Sequence, residues 1–171
     1  GVEPEPIDPD RPEGAAILKR MVANADVLVE NFRSGTLERY GLGWEELRKV
    51  NPRLIFCSVT GFGQTGPYAG RSGYDFVVQA MSGLMEVTGE ADDMPGGGPQ
   101  RVGVPVADMF TGWAATVSIL AALRHRDRTG EGQAIDVNLF ETMTSLMQAP
   151  TSSWLNTRRL FGRTGNDSPV A

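Results

Sequence analysis

Asp108 is the residue of this chain best placed for covalent chemistry. It stands in VGVPVADMFTG, where an extended run, Val102 to Val106, meets a long helix expected from about Asp108 to His125. A carboxylate at such a junction accepts hydrogen bonds from first-turn amides and feels the positive end of the helix dipole. Both effects favour its ionised form. Two roles fit that position. One is a plain helix cap; the other is a nucleophilic carboxylate held by the helix end and aimed into a cleft. Position alone does not choose between them.

The other reactive side chains are few. His125 is the only histidine, which removes multi-histidine metal sites and most histidine-paired triads. It lies in LRHRDRTGEG among Arg124, Arg126 and Arg128, and reads as a surface or cap residue near a helix C-terminus. Cys57 is the only cysteine, so there is no intrachain disulfide and no thiolate cluster. Within LIFCSV it reads as a buried packing residue. Glu30 ends a buried-type strand, where a structural role is the simpler reading. Asn31, Arg33 and Arg39 follow that strand, as phosphate-contacting groups do and as solvated loop residues also do. Met81, Met85 and Trp113 sit at helical spacing and read as core.

The stretch RLIFCSVTGFGQTGPYAG holds Gly61, Gly63 and Gly66 in a G-x-G-x-x-G pattern after an apolar run. A dinucleotide site needs a helix to open at the third glycine. Pro67, Gly70 and Gly73 delay any helix until about Tyr74, and no acidic strand end follows at the required distance. A nicotinamide or flavin site is therefore not expected, and the absence of G-K-[ST] removes a P-loop. What remains is either a plain surface loop or a backbone-lined wall against which an extended ligand can lie.

These residues need elements to hold them. Pro12 and Glu13 start a helix carrying Ile17, Leu18, Met21, Val22 and Ala25 on one side. Val27 to Asn31 and Leu54 to Val59 read as buried strands. Between them, Thr36 to Tyr40 forms a turn of helix, and Trp44 to Val50 a second helix closed by Asn51-Pro52. Tyr74 to Met85 reads as an amphipathic helix and Gly89 to Gln100 as a loop. Met109, Trp113, Val117, Leu120 and Leu123 form the expected apolar stripe of the long helix. Ala134 to Val137 is a strand, Leu139 to Gln148 a helix, and the tail beyond Pro150 is polar and weakly patterned. There is no internal repeat. Strands alternating with helices imply an α/β fold with a largely parallel sheet, whose ligands gather at the strands' carboxyl ends.

The chain has 171 residues and a formal net charge of -5, with 40% hydrophobic and 22% charged residues. That composition suits one globular domain with a real core and argues against nucleic acid or an anionic membrane as the main partner. No apolar run approaches the roughly 18 residues of a membrane span, and no signal peptide is evident, so a cytoplasmic setting is expected. No initiator Met opens the chain and no terminal element closes it, so the ends look cut.

Four segments, ADVLVENFRSGTLERYGL, NPRLIFCSVTGFGQTGPY, SGYDFVVQAMSGLMEVTG and VPVADMFTGWAATVSILAALRHRDRTGEGQAIDVNLFE, together resemble the class III coenzyme A transferases, the CaiB/BaiF or formyl-CoA transferase family. The match runs in order from about Pro12 to Pro150. The resemblance implies part of a Rossmann-like α/β large domain, residues 1–150, in a longer polypeptide that forms an interlocked homodimer. Residues 151–171 would begin a linker toward a small domain that lies downstream. Asp108 matches the family's nucleophile. Asn31, Phe32, Arg33, Arg39 and Tyr40 match CoA-contacting positions, and Ser72, Gly73, Tyr74 and Asp75 match a second CoA-lining segment. No tightly bound cofactor or metal is implied; a CoA thioester is the substrate and a small carboxylic acid its partner. Ser34 departs from the pattern, standing where the family usually has Pro. The family's first strand and its glycine-rich flap are also missing from this sequence, so this piece alone is expected to be inactive.

The implied reaction is an acyl transfer through an aspartyl anhydride and an aspartyl-CoA thioester. Two alternatives stand beside it. Some members resemble α-methylacyl-CoA racemases, which pair the aspartate with a histidine in the segment matching SGYD; here that place is Tyr74, and a phenol is a poor base at neutral pH. His125 lies 17 residues (125 - 108) along the expected helix, roughly 25 Å away. The other alternative is a non-catalytic CoA-binding or dimerisation module with Asp108 as a cap.

Overall fold

Three short strands organise the described residues: β1 (Val27–Glu30), β2 (Ile55–Thr60) and β3 (Gln133–Asn138). They pair in parallel in the order β1-β2-β3, with Val27 opposite Ile55, Ile55 opposite Gln133 and Thr60 opposite Asn138. The computed structural model describes residues 7–167; residues 1–6 and 168–171 lie outside the described residues.

Strand alternation sends successive side chains to opposite faces. On one face Ile55, Cys57, Ile135 and Val137 pack against Ala115 and Ala122 of α5 (Val106–Thr129). On the other, Leu54 and Phe56 pack with Val22 of α1 (Pro12–Val22) and with Leu42 and Leu47, the latter on α3 (Trp44–Val50). The short helix α2 (Thr36–Arg39) adds Leu37 to that cluster. A third cluster joins Val78 of α4 (Asp75–Met81), Ala107 of α5, and Leu139 and Met143 of α6 (Leu139–Leu146). This is the expected α/β architecture with a parallel sheet, covered by helices on both faces.

Several expectations need correction. The helix expected to run from Tyr74 to Met85 stops at Met81 because Gly83 takes φ +85, and Met85–Val87 forms a separate 3-10 turn. The weakly patterned tail expected beyond Pro150 instead begins within helix α7 (Gln148–Thr157), which crosses that point. Further on, Arg163 is buried against Glu86 and Asp92.

The long helix is turned differently from the expectation. Trp113, Val117 and Leu120 are 67%, 64% and 62% exposed, and Met109 is exposed too; of the expected stripe only Leu123 packs inward. Met81 is likewise exposed rather than core. The buried face of α5 is Ala107, Thr111, Ala115 and Ala122. Small residues let the helix approach the sheet and its neighbours closely, and a helix apolar all round gives no sidedness to read. By length and composition α5 is also apolar enough to cross a membrane, contrary to the expectation that nothing approached that length. Thr111, Gly112, Thr116 and Ser118 interrupt its apolar run without adding a charge.

Candidate active site

The strands end where the chemistry-bearing loops begin. After β1 the chain turns through Asn31 to Ser34, and the Glu30 carboxylate shapes that turn by accepting from the Phe32 amide at 2.8 Å. After β2 comes the glycine loop, 61–73. Its ends meet: a Cβ on Gly61 or on Gly73 would fall inside contact distance of the other's Cα. These two glycines therefore serve a backbone-to-backbone approach within the chain. The loop is further held by Phe140 N donating to Gly61 O (3.1 Å), Gly63 N to Thr60 Oγ1 (2.8 Å) and Gln64 N to Asp136 Oδ2 (2.8 Å). No helix opens at Gly66; the next one, α4, begins at Asp75, as the Pro67, Gly70 and Gly73 punctuation predicts.

Between the two loops lies a cleft of about 340 Å³. Asn31, Phe32 and Arg33 line one side, and Ser72, Gly73 and Tyr74 line another. Asp108 lines it from the N-terminal turn of α5. Seven of the ten residues singled out from the sequence thus share one opening. Ser34 and Arg71 line it as well and were not singled out as site residues. Arg71 is steadied over the Tyr68 ring, 4.5 Å from its centroid. The cation–aromatic spacing i, i+3 in PYAGR was the signal that could have marked it.

Three residues lie elsewhere. Tyr40 lines a separate apolar groove of about 500 Å³ along β1, which shares Phe32 with the cleft. A hydrogen bond to Asp10 pushes its phenol pKa up. Arg39 is exposed, 6.0 Å from the Tyr40 ring. Asp75 is the most informative displacement. Its Oδ1 accepts from Ala107 N (2.7 Å) and Asp108 N (3.2 Å), and its Oδ2 from Gln79 Nε2 (2.6 Å). Gln79, fully buried, in turn accepts from Val102 N at 2.9 Å.

Asp75, not Asp108, therefore satisfies the orphan amides at the start of α5. The cap reading of Asp108 fails, and so does the expectation that the helix end lowers its pKa. Partial desolvation and the neighbouring Asp75 charge hold the Asp108 carboxyl above the usual carboxylate range. His125 is exposed, and Cys57 is buried with its thiol pushed up by burial. Arg126, read as one of several helix-end cations, is instead buried, and pairs with Asp26 at 2.9 Å.

A carboxylate with raised basicity faces a cleft that Arg33 and Arg71 also line. That arrangement suits an anionic ligand carrying an electrophilic carbonyl. Residues 6–171 match the family described as CoA-transferase family III. The chain belongs to that family. It is 49% identical over 158 residues to the succinate–glutarate CoA-transferase of Agrobacterium fabrum, covering 92% of this chain and 38% of that one. It is 42% identical over 163 residues to the succinyl-CoA–D-citramalate CoA-transferase of Chloroflexus aurantiacus, covering 95% and 40%. A CAIB/BAIF family protein from Brucella suis superposes with a TM-score of 0.89 at 46% identity, covering 95% of this chain and 42% of that structure. The chain thus spans about two fifths of the length of the relatives it matches.

Proposed function

We propose that this chain carries the nucleophile of an enzyme that moves coenzyme A from an acyl-CoA thioester to a free carboxylic acid. The observation that supports this most is Asp108, freed from capping by Asp75 and lining the same cleft as Arg33 and Arg71. The Asp108 carboxylate attacks the thioester carbonyl, and the carbon–sulfur bond breaks to release CoA thiolate and leave an aspartyl anhydride. The thiolate then attacks the aspartyl carbonyl, giving an aspartyl-CoA thioester and the freed donor acid. An acceptor carboxylate attacks that thioester and expels the CoA thiolate, forming a second anhydride, and the thiolate then attacks the acceptor's carbonyl to give the new acyl-CoA and free Asp108. The thioester bond energy is conserved, so no nucleotide is consumed.

The site's contribution is positioning, charge and exclusion of water. Arg33 and Arg71 offer charge to the ligand's anionic groups, and the glycine loop offers backbone beside the pantetheine arm. Dicarboxylic acids are the acceptors favoured by the names of the two relatives, which act on succinate, glutarate and citramalate. The outward apolar face of α5 is assigned, on the resemblance, to the partner subunit of an interlocked homodimer. The racemase alternative finds no imidazole in the cleft, where Tyr74 occupies the matching place.

The test uses the full-length polypeptide. Incubated with succinyl-CoA and quenched with hydroxylamine or borohydride, it is expected to show modification at Asp108 by mass spectrometry. No adduct in the native protein, with transfer surviving in Asp108→Ala, overturns the mechanism. A panel of free acids with succinyl-CoA as common donor then identifies the acceptor.

A further inference from the structure

We propose that Ser34 is a positioning residue whose hydroxyl latches the two walls of the cleft together and sets its aperture. The proposal deepens the CoA-transfer reading and rests on it for what the cleft holds. Ser34 Oγ donates to the Gly63 carbonyl at 3.1 Å. Among the described residues this is the one hydrogen bond between the 31–35 turn and the 61–73 loop. The other anchors of the loop, Thr60, Asp136 and Phe140, all belong to β2, β3 or the start of α6 and hold it from its own side.

The latch acts on a single rigid unit. The peptide group joining Gly63 to Gln64 is planar, so fixing its oxygen and its N–H fixes its orientation. Its oxygen is held by Ser34 and its N–H by Asp136 Oδ2 at 2.8 Å. Gly63 takes φ +87, and a Cβ there would press on the side chains of Asn138 and Asp136, so the unit is built for this geometry. Arg33 precedes Ser34 directly, and Arg71 lies in the latched loop; both line the cleft. The hydroxyl therefore sets the spacing between the two cation-bearing walls. An alanine at this position removes the bond without adding bulk, and a threonine keeps it.

The experiment compares native protein with Ser34→Ala and Ser34→Thr in the full-length polypeptide. Two quantities are read: hydrogen exchange at the Gln64 amide, and the dissociation constant of coenzyme A by calorimetry. One lost hydrogen bond predicts that Ser34→Ala raises exchange at Gln64 and weakens CoA binding, each by about threefold to tenfold. The KM for succinyl-CoA rises in step while kcat stays within about twofold, and Ser34→Thr restores all of these. Unchanged exchange at Gln64 in Ser34→Ala overturns the latch. Raised exchange with unchanged CoA affinity overturns the positioning role. Native protein that binds no CoA overturns the transfer reading and the positioning role with it, while the exchange comparison still decides the latch.

Discussion

Asp75 takes the hydrogen-bonding capacity of the helix end that carries Asp108. Its Oδ1 engages the amides of both Ala107 and Asp108, at 2.7 and 3.2 Å. Two carboxylates therefore share one helix N-terminus with unequal fortunes. Asp75 is stabilised there by direct hydrogen bonds and by the dipole. Asp108 receives Asp75's repulsion and partial desolvation, which raise its proton affinity. A more basic carboxylate is a stronger nucleophile toward a thioester once ionised, so the neighbour's capping role and the attacking role are linked.

Replacing Asp75 by Asn tests that link. Asn keeps an oxygen to accept from the helix amides but removes the charge. Loss of a like charge lowers the pKa of Asp108, so the acid limb of kcat/KM moves to lower pH. A pH profile of CoA transfer in the full-length protein checks it; a limb that stays put or moves up contradicts the repulsion account. Asp75→Ala removes the cap as well and is expected to cost about 1–2 kcal/mol in chemical unfolding.

Asp108→Asn is expected to leave the fold as stable as before or slightly more so at neutral pH. The sign follows from linkage. Because the folded-state pKa of Asp108 is raised above its unfolded value, the native state binds more protons in the interval between the two. Stability contributed by this group is full below the unfolded pKa and declines as pH rises through the folded one. Removing the charge removes that penalty at pH 7. Asp108 is exposed, so solvent screening keeps the gain to about 1–2 °C in thermal midpoint. A clear drop in midpoint at pH 7 contradicts this, whereas at pH 3 the variant and the native protein converge.

The sequence made the parallel α/β sheet and the glycine-loop wall of the cleft legible because both rest on local signals, whereas Phe32, Ser72, Gly73 and Tyr74 came from the family resemblance. Strand runs such as LIFCSV announce themselves by β-branched and aromatic content, and the glycine and proline punctuation of 61–73 marks a loop at a strand's carboxyl end. Asp108 was singled out by its junction position, but that position suggested a cap and a lowered pKa, and the choice of the nucleophile role came only from the family resemblance. What stayed hidden depended on partners far along the chain. Nothing local says that Asp75 caps a helix beginning 31 residues later (106 - 75), or that Ser34 bonds to Gly63. The outward turn of Trp113, Val117 and Leu120 was hidden for another reason: the small residues that pack α5 inward carry less hydrophobic weight than the large ones left outside.

Gln79 is the buried bolt behind this arrangement. Its side chain is fully buried, donates to Asp75 Oδ2 at 2.6 Å and accepts from Val102 N at 2.9 Å. Gln79→Leu preserves bulk but leaves a half-buried amide and a half-buried carboxylate oxygen without their partners. An unsatisfied buried polar group costs about 1–3 kcal/mol. Urea unfolding is expected to register a loss in that range, together with faster hydrogen exchange at Val102. A variant as stable as the native protein, with Val102 still protected, shows that the segment entering α5 is held by something else.

Two glycines of the same loop should respond oppositely to alanine. At Gly73 a Cβ meets the backbone of Gly61, which has no side chain to swing away. The base of the loop must open, displacing Ser72 and Tyr74, which line the cleft beside it. Gly70 has no atom within 4 Å of where its Cβ would stand, and its φ lies outside the left-handed region. Gly73→Ala is therefore expected to cost about 1–3 kcal/mol, the range for overpacking against a site that cannot yield. Gly70→Ala should fall within about 0.5 kcal/mol of the native protein, or gain slightly through a less flexible unfolded chain. Paired thermal and urea unfolding of the two variants decides the matter. Equal effects at both positions mean that the loop is not closed at its base by the Gly61–Gly73 contact, and that its shape is set instead by its bonds to Ser34, Thr60, Asp136 and Phe140.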